Sequence, residues 1–187
     1  MRLWTRQVPQ VWEEIEQTGR YTVKEEYIQI KNDTIADFYF ELYRWYTKTA
    51  RKYLKIADEL KYPIWLSVDE SMMLQPTEDT VILEVEIPAE EVLLCNNIAW
   101  GFRVNYWYVP LDETDEKKHN AELKKLGIAS EADLVMTDKG NFYPAMKRKI
   151  IDSWERVFTA RPEKDSDYVA TVWQIKREWV REVKVFV

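Results

Sequence analysis

The stretch Thr80-Val-Ile-Leu-Glu-Val-Glu-Ile87 decides the fold class. Val81, Leu83, Val85 and Ile87 alternate with Glu84 and Glu86, the period of a strand with one apolar face. Pro88 closes it. Working upstream, Ile64–Val68 is β-branched and aromatic and reads as a second strand, while Arg2–Gln7 reads as a short opening one. Downstream, Val92–Cys95 reads as a short strand and Arg103–Val109 as an aromatic one. The tail from Tyr168 begins and ends as strand; its middle, 175–183, fits strand and helical turn equally well.

Helices separate these strands without regular alternation. Pro9 suits a first helical turn, Val11, Trp12 and Ile15 share one face, and Gly19 supplies a stop. A loop or short strand is expected over 21–30. The strongest helical pattern spans about 34–60, with Ile35, Phe38, Leu42, Trp45, Tyr46, Tyr53, Ile56 and Leu60 at three- and four-residue spacing. Thr34 with Asp37 suggests a capping box. A polar helix over 114–126 ends at Gly127, residues 128–143 read as a turn-rich connection, and Pro144 opens another amphipathic helix. Such an order predicts one α+β domain over residues 1–187. Its sheet is mixed or mainly antiparallel, with a long packed amphipathic helix and an aromatic-rich core.

Composition narrows the function classes. The chain has 187 residues, 46% hydrophobic and 32% charged, a globular balance. Its formal net charge of −6 disfavours duplex nucleic acid as a general partner. One cysteine, Cys95, and one histidine, His119, leave no Cys-based zinc cluster and no multi-histidine metal site, so no metal is expected. Cys95 reads as a small buried hydrophobe and His119 as solvent-facing. No apolar run reaches 18 residues, which predicts a cytoplasmic chain without a membrane partner. Folding requires no cofactor at this length. The four glycines supply neither GxGxxG nor GxxxxGK[ST], so P-loop and dinucleotide-fingerprint folds are disfavoured.

The unusual number is the aromatics: nine Trp, eleven Tyr and six Phe. Asn105, Tyr106 and Trp107 form one candidate ligand-binding set, an amide beside stacking rings; packing in a central strand is the competing explanation. Tyr62, Trp65 and Ser67 form another, with Ser67 placed to bond a ribose hydroxyl. Arg44, Lys48, Arg51, Lys52 and Lys55 make a basic stripe that is either an anion track or a solvated face. Glu84 and Glu86 share a strand face, which is a metal pair or simply an exposed edge.

Several segments together resemble an uncharacterised bacterial domain-of-unknown-function family. These are RLWTRQ with PQVWEEIEQTG, YPIW at 62–65, VILEVEIPAEEVLL at 81–94, NYWY at 105–108, KIIDSWERVF at 149–158 and ATVWQIKREWV at 170–180. That family implies no activity or cofactor. The opening strand with its following helix and T-G, and VILEVEIP with its E-E-V-L turn, also resemble ADP-ribosyltransferase-like domains. This second resemblance implies NAD as substrate, bound in a cleft between two sheets, with a first-strand basic residue and a late acid, amide or tyrosine. Here the first strand carries Thr5 and Gln7, with Arg2 and Arg6 nearby, and the late position has two candidates, Glu178 and Gln174. Glu178 is the candidate catalytic acid, with Thr5, Gln7, Tyr62, Trp65 and Tyr106 around the ligand. The alternative is a non-catalytic domain that binds a small ligand or a protein through an aromatic pocket.

Overall fold

The computed structural model describes residues 1–186. By internal contacts the chain forms two compact units: Met1–Leu94 together with the chain from Tyr168 onward, and Cys95–Asp167. The family of elements is α+β, with β1 Arg2–Gln7, α1 Pro9–Thr18, β2 Arg20–Tyr21, α2 Glu25–Asn32, α3 Ala36–Ala50, β3 Ile64–Ser67, β4 Thr80–Glu86 and β5 Leu93–Asn96. There follow α4 Asn97–Val104, α5 Glu113–Leu126, α6 Glu131–Met136, α7 Pro144–Ser153 and α8 Arg156–Thr159, then β6 Tyr168–Val172, β7 Ile175–Lys176 and β8 Val180–Phe186.

The first unit is built on a six-stranded antiparallel sheet in the order β5-β6-β3-β1-β4-β8. The register is set by side-chain alternation: Leu3 lies opposite Val85 and Thr5 opposite Leu83. Leu3, Ile64, Leu66, Val81, Leu83, Val85, Ala170 and Val172 form one buried face, covered by Val11 and Ile15 of α1 and by Tyr21, Ile175 and Trp179. The C-terminal stop of α1 is Gly19, left-handed at φ 80°, whose N–H donates to Ile15 O at 2.9 Å. The opposite face is also covered. α3 packs there, its Tyr46 ring centroid 5.0 Å from that of Trp65 and its hydroxyl 3.0 Å from Thr171 Oγ1. Ile82, on the same side as Glu84, is buried as well.

In the second unit the caps are side chains. Asn96 Oδ1 accepts from the Ile98 and Ala99 N–H groups, both at 3.0 Å, and so starts α4. Asp112 caps α5, accepting from Asp115 N at 2.8 Å, and left-handed Gly127 ends it.

Four expectations are corrected. The long helix stops at Ala50, and Asp33–Ile35 is a 3-10 turn with no Thr34 or Asp37 cap. It stops because Arg51 turns back to bind the carbonyls of Ala57, Asp58 and Leu60 at 3.2–3.3 Å, which draws residues 55–60 into a loop. Residues 25–32 are helical. The expected strand 103–109 is instead the end of α4 and a turn, with Tyr106 at φ 58°. Asn96 caps this region into a helix, and Trp107 N–H reaches Phe102 O at 2.9 Å to close it. Residues 128–143 hold α6 and a 3-10 turn over Asp138–Asn141. The ambiguous 175–183 segment is strand, 3-10 turn over Arg177–Trp179, then strand.

Candidate functional site

Thr5, Gln7 and Trp65 come together at the β1–β3 pairing. Thr5 Oγ1 donates to Trp65 O at 2.9 Å and accepts from Gln7 Nε2 at 2.8 Å. These bonds use the Thr5 hydroxyl proton and one of its lone pairs and tie two strands. The Trp65 ring packs between Tyr43 and Tyr46, at centroid distances of 6.2 and 5.0 Å. Burial pushes the Tyr43 hydroxyl up to about 12. Ser67 Oγ reaches Met72 O at 3.3 Å. The buried Tyr62 donates its hydroxyl to Glu25 Oε1 at 2.8 Å. Burial, and then this bond, raise the pKa of Tyr62; the same bond, with Lys61 at 3.6 Å, lowers that of Glu25.

Asn105, Tyr106 and Trp107 belong to the second unit. Asn105 is exposed and donates to Gly101 O at 2.8 Å. Trp107 is 47% exposed. Tyr106 is buried beside Arg103, whose fully buried guanidinium lies 5.0 Å from the Tyr106 ring and 3.9 Å from the Trp154 ring. The three do not share a strand face. His119 is 2% exposed rather than solvent-facing, stacked on Tyr108 at 4.1 Å with Glu131 Oε2 3.4 Å away. The faces of the imidazole are apolar enough for it to pack as an aromatic there.

Glu178 lies in the 3-10 turn before β8 and is exposed. Its neighbour Trp179 is buried and walls a cleft of about 430 Å³ in the first unit. Trp173, Ile56 and Leu54 supply further apolar wall, and Lys55, Asp58, Glu91 and Gln174 supply polar groups. Gln174, the other late candidate, thus lines the cleft and Glu178 does not. Trp173 is held in place by a bond from its Nε1 to Thr47 Oγ1 at 2.9 Å and by stacking with Tyr46. The loop that Arg51 gathers forms the other wall. A second hollow of about 250 Å³, lined by Glu25, Glu59, Lys61, Tyr62 and Trp173, adjoins it at Leu60 and Trp173. Sequence reasoning missed Trp173 and Trp179 as a pair. Their signal was two tryptophans bracketing Gln174, the second of them in the 175–183 segment that fits strand and helical turn equally well.

The acids singled out in β4 are each taken by an arginine. Glu84 accepts from Arg2 Nε and Nη2 at 2.7 and 2.8 Å, and Glu86 from Arg181 Nε at 3.0 Å. Among the described residues no group of three or more His, Cys, Asp or Glu is placed to hold a metal ion. Among them, too, no helix is long and apolar enough to cross a membrane.

Fold and cleft define an α+β domain with an aromatic-rich core. The chain belongs to the family described as a domain of unknown function, DUF3841, whose model matches residues 2–181. Comparison with curated proteins and with solved structures gave no match.

Proposed function

We propose that the first unit binds a small ligand with a planar ring, and that NAD is the compound to try first. The observation that carries this reading is the pairing of Trp173 and Trp179 with Gln174, Asp58, Glu91 and Lys55 around one cleft of about 430 Å³. Ligand sites are typically concave and mainly apolar, with a few polar groups that orient the ligand. A nicotinamide or adenine ring matches tryptophan walls, and an amide such as that of Gln174 can read a ring edge. The ADP-ribosyltransferase-like resemblance adds support through Gln174, one of its two late candidates.

Transfer chemistry on NAD breaks the bond between nicotinamide and ribose, and an acid that assists it must reach that bond. Glu178 is exposed outside the cleft, whereas Gln174, Asp58 and Glu91 line it. The reading supported here is therefore binding, with turnover as a separate arm of the test. That test is a calorimetric titration of the whole chain with NAD, ADP-ribose and nicotinamide. Saturable binding below millimolar concentration, weakened at least tenfold in Trp179→Ala and unaffected by Glu178→Ala, is the expected result. Absence of binding by all three removes the NAD reading. Release of nicotinamide that Glu178→Ala abolishes would restore Glu178 as the acid.

A further inference from the structure

Lys176 is not a wall of the cleft, but its ammonium touches two residues that are. Lys176 Nζ lies 4.7 Å from the centre of the Trp179 ring and 3.9 Å from Glu91 Oε1. An aromatic face opposed to a carboxylate is a cation site, since the ring quadrupole and the anion both favour positive charge. The chain fills that site with its own cation. Lys176 is held there loosely: its side chain is 36% exposed and that of Glu91 41% exposed, so neither charge is locked by burial. The Lys176 backbone pairs with Arg20 across β2 and β7, which leaves the side chain free to swing without loss of the strand pairing.

We propose that the Trp179–Glu91 pair makes this cleft selective for a positively charged planar ring, and that Lys176 is the internal competitor such a ligand displaces. This rests on the binding reading above. The acids that line the cleft, Asp58 and Glu91, outnumber its one lysine, Lys55, which supports the same sign of ligand charge. A neutral ring of the same shape gains the tryptophan contact but not the pairing with Glu91. Displaced Lys176 moves into water at little cost, because an exposed ion pair is weak to begin with.

The probes are 1-methylnicotinamide, a cation, and nicotinamide, its neutral counterpart. Both are titrated by ligand-observed NMR into the wild-type chain, Lys176→Met and Glu91→Gln, with circular dichroism confirming that each variant is folded. The wild-type chain is expected to bind the cation about tenfold more tightly than the neutral ring. Lys176→Met should tighten the cation about threefold or more and the neutral ring by less; Glu91→Gln should cut the preference to about threefold or less, the part that the ring quadrupole supplies. Equal affinity for the two rings in all three proteins overturns the selectivity but leaves the binding cleft standing. So does binding of nicotinamide with none of the cation. Failure of both rings to bind any of the three proteins overturns the cleft and the selectivity together.

Discussion

Arg103 shows how much a single buried side chain organises. Its guanidinium is fully buried against the rings of Trp154 and Tyr106. Truncation leaves a large void where volume and charge were both accommodated. Arg103→Ala should lower unfolding free energy by about 3 kcal/mol, while Arg103→Met, which keeps the stem and volume, should lose much less. Urea denaturation of the two variants separates them. Asp115 is a second case. Its carboxylate accepts from Leu111 N at 2.9 Å and Tyr108 Oη at 2.8 Å, with Arg156 Nη1 at 3.2 Å. The Leu111 N–H above all, then the Tyr108 hydroxyl and Arg156, hold its pKa below the usual carboxylate value. A carboxylate depressed in the folded state stabilises above its unfolded pKa, and that contribution disappears as pH falls through the folded value. Asp115→Asn should therefore flatten the fall in stability on the acid side, below about pH 4, as read by denaturation at stepped pH.

At the scale of elements, the loop of residues 54–60 and the short helix α6 are decided by backbone contacts. Arg51 donates to three carbonyls, which fixes the loop that walls the cleft. Arg51 is exposed, so its removal acts locally. Arg51→Ala should speed amide exchange over residues 57–60 and weaken ligand binding, yet change global stability by less than about 1 kcal/mol. Gly140 behaves differently: a Cβ there would overlap the Leu134 carbonyl. Gly140→Ala should cost about 2 kcal/mol, because backbone rather than a flexible side chain must move. A melt no lower than that of the wild-type chain would show that this close approach is not required.

On the whole-molecule scale, the sheet was legible where one period ran uninterrupted. In β4 the alternation of Val81, Leu83 and Val85 with acids is the register itself. Gly19 and Gly127 marked helix ends because both adopt positive φ, where glycine has no steric penalty. The breaks came where tertiary contacts outweighed local pattern. Tyr53, Ile56 and Leu60 kept helical spacing, but Arg51 found better partners in the loop carbonyls. In 105–108, exposure alternates as it would in a strand, yet the Asn96 cap and the Trp107–Phe102 bond make a helix and turn. The candidate site was half legible. Gln174 and the residue beside Trp179 were within reach, but which of the nine tryptophans face one cleft depends on a loop position that no spacing reveals.

A ligand that enters the Trp173–Trp179 cleft must perturb those two rings before any other tryptophan. The direct measurement is fluorine NMR of the chain labelled with 5-fluorotryptophan, its resonances assigned by single Trp→Phe replacements, during titration with NAD. The Trp173 and Trp179 resonances are expected to shift saturably while those of Trp65 and Trp154 stay in place. Nine stationary resonances, or movement of Trp65 with Trp173 and Trp179 unmoved, would contradict binding there.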